Sequence, residues 1–255
     1  MKLALCSNIG KRRTTNQDYA DYFLNDFGQL LLILCDGVGG HLGGDVASQR
    51  TTQYIGQYFQ DLNQALAPDQ VSAWIEGTLK LVNQQIYQEA QADKNLNGMG
   101  TTIVLALIVD GTIYLGHVGD SRAYIYKEGK LQQYTEDHSL VNELIRAGEI
   151  TLEESYLHPH RNAVTQSIGL THPLEVAIQT VPSQEAEMLL LCSDGLTNMV
   201  TPEALEELFR SSRQEANFAQ QLITAANEAG GMDNISVIIA SDLSTENLEE
   251  VSEWK

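Results

Sequence analysis

The chain has 255 residues, 43% of them hydrophobic, enough for a full core in one domain without calling for a second. Its 34 acidic against 15 basic residues give a formal charge of -19, a field that opposes nucleic acid and anionic membrane surfaces as partners. No run approaches the roughly 20 apolar residues of a membrane span, and MKLALCSNIG is too short for a secretory signal. Three cysteines, Cys6, Cys35 and Cys192, are an odd number without close pairing, which fits a reducing compartment, so a cytoplasmic protein is expected.

From the N-terminus, KLALCS, YADYFL and QLLLILC read as short strands, the last two joined by a turn around Asp26 and Gly28, so a meander is expected to open the fold. GGDVASQRTTQYIGQYFQDL and PDQVSAWIEGTLKLVNQQIYQEAQA space their apolar residues as two long amphipathic helices, with Pro68 suited to a helix start. The segment from Thr101 to Thr135 strings together three or four strands, with Asp-Gly and Glu-Gly as hairpin turns. Residues 139–147 read as a short helix and 148–172 as a surface excursion. LEVAIQTV, MLLLCS and NISVIIA supply late strands, with two helices between the last two. The tail STENLEEVSEWK is acidic and is expected to be solvated or loosely packed. Paired helices between batches of antiparallel strands, without regular alternation, predict an α+β layered domain rather than a doubly wound sheet.

Two apolar runs stop on carboxylates: LLILCDGVGG at Asp36 and MLLLCSDGLTN at Asp194. Asp18, Asp120 and Asp233 stand in comparable places beside strands or turns. Any one of them alone is most simply a turn or capping residue. As a set brought within about 4 to 6 Å they would repel by a few kcal/mol per pair, and would need protons or cations. An all-oxygen set without Cys or His at ligand spacing points to Mg2+ or Mn2+ rather than zinc. A glycine after the ligand, Gly37, lets the backbone turn and offers its carbonyl to an ion. The basic loop GKRRTTNQD, in a chain so acidic, suggests a guanidinium grip on phosphate, and phosphate with two divalent ions suggests phosphoryl hydrolysis.

GKRRTTNQD, DGVGGH, GTT at 100–102, VGDSRAY, SDGL and GGMDNISVI resemble, in this order, the motifs of the metal-dependent protein phosphatases of the 2C type in their compact bacterial form. The resemblance runs from about residue 2 to 242. It implies a four-layer α-β-β-α sandwich, two antiparallel sheets flanked by pairs of helices, with a flap at about 148–172 and an acidic tail at 243–255. It also implies hydrolysis of phosphoserine and phosphothreonine in proteins, by a water shared between two ions attacking phosphorus in line without a covalent enzyme intermediate. Asp36 and the Gly37 carbonyl would then serve a two-ion Mn2+ or Mg2+ centre, with Asp194 and Asp233 on one ion and Asp18 reaching it through water. Asp120 with Asp194 would hold a third ion, and Arg13 would bind phosphate. Val38 stands where animal relatives carry a His after Asp-Gly; His41 would either protonate the leaving group or line the cleft. The expected partners are phosphorylated proteins, including a Ser/Thr kinase and its targets, with no nucleic acid and no membrane, and the expected state is a monomer.

Two rival readings compete. Cys6-x5-Arg12 imitates the phosphate loop of cysteine-dependent phosphatases, but no proline follows an Asp to supply their usual acid. A non-catalytic copy of the fold that recognises phosphoproteins would have no need to keep repelling carboxylates. DKNLNG imitates half an EF-hand loop, yet its twelfth position is Val104.

Overall fold

The structure, a computed structural model, describes residues 1–38, 43–243 and 250–254, the last by backbone alone. In β3 (Leu30–Val38), Leu31, Ile33 and Cys35 face one way and Leu30, Leu32 and Leu34 the other, and all six are buried. That two-sided burial is why the run is continuously apolar, each side chain contributing on the order of 2 kcal/mol. The first set packs beneath α1 (Gly44–Gln60) and α2 (Pro68–Ala92) through Ile55, Phe59, Ile75, Leu79 and Val82. The second set meets the other sheet, where Leu3, Ile125, Leu189, Leu191 and Ile238 project inward.

One sheet runs β2 (Asp18–Leu24), β3, β5 (Ile103–Val109), β6 (Thr112–Val118) and β9 (Ala177–Pro182), with the short β4 (Gly100–Thr101) paired to the end of β3. The other runs β12 (Glu250–Trp254), β1 (Lys2–Asn8), β11 (Ile235–Ser241), β10 (Met188–Cys192), β7 (Arg122–Lys127) and β8 (Lys130–Gln133). Its outer face carries Tyr126, Leu190, Val237 and Ile239 against α6 (Pro202–Ser212) and α7 (Phe218–Glu228), whose Phe209, Phe218, Leu222 and Ile223 fill the third apolar layer. Two sheets with helices outside both are the expected α-β-β-α sandwich. The smaller helices are α3 (Leu140–Arg146), α4 (Leu152–Ser155) and α5 (Asp194–Thr197). The Asp-Gly and Glu-Gly hairpins form as expected: Asp110, Gly111, Glu128 and Gly129 all have positive φ, the twist that two-residue turns require.

One expectation is corrected and one is extended. The opening meander does not exist, because β1 leaves β2 and β3 for the opposite sheet, where it pairs with β11. Apolar alternation fixes which residues face inward but not which sheet receives a strand. The acidic tail, expected to be solvated or loosely packed, pairs residues 250–254 by their main chain as β12, parallel to β1 with Lys2 opposite Glu250. Edge pairing uses main-chain groups, which composition does not reveal. Among the described residues no helix is long and apolar enough to cross a membrane.

Candidate active site

Every strand junction that carries a candidate carboxylate opens at one end of the sandwich. Antiparallel pairing sets Asp18 at the start of β2 opposite Asp36 near the end of β3. The pairing of β10 with β11 brings Ser193 N–H to the Ser236 carbonyl at 3.1 Å, so Asp194 and Asp233 flank the same junction. Asp120 lies where the chain leaves β6 in one sheet for β7 in the other. A strand buried on both faces thus ends on a carboxylate where the two sheets part.

The Asp36 main chain is held rigidly. Its carbonyl accepts from Thr102 N–H and from Thr101 Oγ1, both at 2.8 Å, and its N–H donates to Thr102 Oγ1 at 3.2 Å. Thr102 Oγ1 in turn shares a proton with Ser121 Oγ at 2.7 Å, joining the Asp36 strand to the Asp120 turn. A Cβ on Gly37 would lie 2.5 Å from the Gly44 carbonyl, so only glycine lets the first turn of α1 come this close. Ser193 Oγ donates to Asp18 Oδ2 at 2.8 Å, and Asn198 Nδ2 to Asp194 Oδ2 at 2.9 Å. The other oxygens of these two acids, Asp18 Oδ1 and Asp194 Oδ1, are buried without a hydrogen-bond partner. Asp233 accepts from Asn234 N–H through Oδ1 and from Arg13 Nη2, at 2.6 Å, through Oδ2.

These acids cannot all ionise as they stand. Burial, then the charges of Asp194 and Asp233, push Asp18 up to about 7 against hydrogen bonds from Ser236 and Ser193. Burial and Asp233 push Asp194 up to about 6, opposed by a hydrogen bond from Asp36 and by Arg122 and Arg13. Asp36 is held well above the ordinary range by burial, then by Asp18, Asp194, Asp120 and Asp233; Asp120 likewise by burial, Asp194 and Asp137. Asp36 therefore feels the other four candidate acids.

The donor set fits divalent cations. Two buried carboxylate oxygens lack partners, and the acids around them are hard oxygen ligands short of positive charge. Among the described residues no three of His, Cys, Asp or Glu form a ready-made cage.

The sequence-derived residues Asp18, Asp36, Gly37, Asp120, Asp194 and Asp233 thus meet at this end, and Arg13 joins them through Asp233. Its guanidinium is paired to an acid and sits within the influence of Asp36 and Asp194. His41 lies outside the described residues. Sequence reasoning overlooked Ser193, Thr102, Ser121 and Asn198, which no local pattern sets apart from ordinary strand and turn residues. The rival Cys6 is buried, its thiol pushed up to about 11 by burial and donating to Gln220 Oε1 at 3.3 Å. Such a thiol is protonated at neutral pH.

The family profile of protein phosphatase 2C matches residues 9–228. The chain is 40% identical over 230 residues, 90% of its length and 91% of the relative's, to a protein of Listeria monocytogenes named serine/threonine phosphatase stp. It is 39% identical over 241 residues, 94% and 97% of the two chains, to the protein phosphatase PhpP of Streptococcus pneumoniae. Its fold superposes with a TM-score of 0.90, at 34% identity and 94% coverage of both chains, on the crystal structure of serine/threonine phosphatase Stp1 from Staphylococcus aureus. The chain belongs to the protein phosphatase 2C family, in its compact bacterial form. It is an enzyme, a protein phosphatase.

Raised carboxylate values carry a sign for stability. An acid whose folded value lies above its unfolded one stabilises the fold while protonated, and that contribution is lost as pH rises through the folded value. The stabilising share of Asp18 and Asp194 is whole below the ordinary 3.8 and disappears through about 7 and about 6 respectively. Chelator-treated protein should therefore lose thermal stability between about pH 5 and pH 8. Added Mn2+ should raise Tm more at pH 8 than at pH 5.5. A Mn2+ increment equal at both values, read by differential scanning fluorimetry, would contradict this electrostatic account.

Proposed function

We propose that the chain hydrolyses phosphoserine and phosphothreonine in proteins at this end of the sandwich, a reading supported by its likeness to proteins named serine/threonine phosphatase and protein phosphatase. The observation that carries the reading is the pair of buried, partnerless oxygens, Asp18 Oδ1 and Asp194 Oδ1, within a ring of mutually repelling acids. Asp36, with the Gly37 carbonyl, Asp194 and Asp233 would hold two Mn2+ or Mg2+ ions, Asp18 reaching one through water; Asp120 with Asp194 would hold a third. Bound there, the ions supply Lewis acidity toward water and toward the phosphoryl oxygens, and compensate the acids' mutual repulsion.

The protein's own residues do the rest. Thr101 and Thr102 hold the Asp36 main chain, and the Ser193 hydroxyl orients Asp18. Arg13, half exposed at the mouth, offers a planar fork to two phosphoryl oxygens, exchanging Asp233 for substrate. The buried, protonated Cys6 supports a mechanism without a covalent thiol intermediate. His41 would either donate a proton to the leaving oxygen or line the cleft. A Ser/Thr kinase acting on the same proteins, a monomeric state and a cytoplasmic location complete the reading.

The deciding experiment is turnover of p-nitrophenyl phosphate and of a phosphothreonine peptide with Mn2+, with Mg2+ and with chelator. Activity should vanish on chelation and return with either ion; activity indifferent to chelation would overturn the metal-dependent mechanism. Arg13→Ala should raise KM for the phosphopeptide by about tenfold, the worth of a charge-assisted hydrogen bond, with Mn2+ affinity little changed. Arg12→Ala should do less. The reverse order in steady-state kinetics would mean that the basic loop has been misread by one position.

A further inference from the structure

We infer that Asn83, on α2 and outside every motif named above, is a positioning residue for the active site, acting through the return leg of the flap. The inference rests on the proposed reading of the site. Asn83 is 4% exposed, and both ends of its amide are spent on the main chain of a distant segment. Its Oδ1 accepts from Gly169 N–H at 2.7 Å and its Nδ2 donates to the Thr171 carbonyl at 3.0 Å. A buried amide satisfied in this way fixes the segment it binds, because releasing either bond leaves a polar group stranded.

The segment so fixed links two carboxylate-bearing turns. Next to Gly169, the buried Ile168 exchanges both main-chain hydrogen bonds with Thr101, 3.1 and 2.8 Å, and Thr101 Oγ1 donates to the Asp36 carbonyl. At the other end of the same leg, Val164 bridges Ser139, and Thr165 N–H donates to the His138 carbonyl at 2.8 Å. His138 N–H in turn donates to the Gly119 carbonyl at 2.9 Å, and Gly119 N–H to His138 Nδ1 at 3.3 Å. Residues 164–171 therefore tie the Asp36 turn to the residue before Asp120, and Asn83 anchors the tie to the helical layer. Asn83 touches neither acid. It acts by keeping two main-chain turns in mutual register, where displacements near 1 Å cost up to about a hundredfold in rate.

The test compares Asn83→Ala, Asn83→Asp and Thr101→Val with Asn25→Ala. Asn25 is also a buried asparagine, bonded to Gln29 in the β2–β3 turn at the far end of those strands from Asp36. With Mn2+ and p-nitrophenyl phosphate at 25 °C, Asn83→Ala should lower kcat about ten- to a hundredfold with KM changed less than about twofold. Asn25→Ala should change kcat little even if it lowers Tm equally. Asn83→Asp, which keeps the acceptor for Gly169 N–H, should fall between wild type and Asn83→Ala, and carries the test if Asn83→Ala does not fold. The double variant with Thr101→Val should be less damaging than the product of the single effects, because both act on one tie. In metal-free protein, amide exchange at Thr101 and Ile168 should accelerate in the Asn83 variants alone. Equal kcat and exchange in the Asn83 and Asn25 variants would overturn the inference. A wild-type protein without turnover would instead overturn the functional reading on which it rests.

Discussion

Asp36→Asn should remove essentially all phosphatase activity while making the metal-free protein more stable. The two effects have one cause. Asp36 is buried among Asp18, Asp194, Asp120 and Asp233, and its charge is opposed by all of them. An amide of the same shape removes that repulsion, so Tm of chelated protein at pH 8 should rise. The same change removes negative charge where ions would be held, and the main chain, pinned by Thr101 and Thr102, cannot bring another ligand into its place. A loss of at least about a thousandfold in kcat/KM is expected, about 4 kcal/mol of transition-state stabilisation. Retained activity would sink the metal mechanism, and a lower apo Tm would sink the repulsion argument; melting curves and turnover on one preparation separate them.

Gly195→Ala should be among the most disruptive substitutions outside the acids themselves. A Cβ there would stand 1.9 Å from the Asn234 carbonyl oxygen and 2.9 Å from its carbon, both main-chain atoms. Asn234 cannot give way. Its Nδ2 donates to the Ile9 and Thr15 carbonyls, both at 3.0 Å, and its Oδ1 accepts from Gln17 N–H at 2.8 Å. The strain must be relieved by moving Asp194 on one side or Asp233 on the other. A stability loss of about 3 kcal/mol or more is expected, with turnover reduced by more than about tenfold even where the protein remains folded. Denaturant unfolding within about 0.5 kcal/mol of wild type would show that the β10–β11 junction is looser than this packing implies.

The glycines and acids were legible because each leaves a local mark. Asp36 and Asp194 interrupt apolar runs, and Gly37 and Gly195 follow them directly. Ser193, Thr102 and Asn83 leave none. Each matters only through a partner far away in sequence: Asp18 for Ser193, Ser121 for Thr102, Gly169 and Thr171 for Asn83. Arg13 was legible as a cation near the site, but its pairing with Asp233 was not, since 220 residues separate them.

By itself the sequence determined the strands, the long helices, the two-residue hairpins and the acids at the strand ends, because periodicity, turn chemistry and composition act over a few residues. Only the tertiary structure decided that β1 crosses to the second sheet, that the acidic tail pairs along its edge, and that five carboxylates converge between the parted sheets. Strand partnership depends on long-range main-chain pairing, and the raised acidities on burial together with the sum of distant charges. Neither quantity is a property of any short stretch of chain.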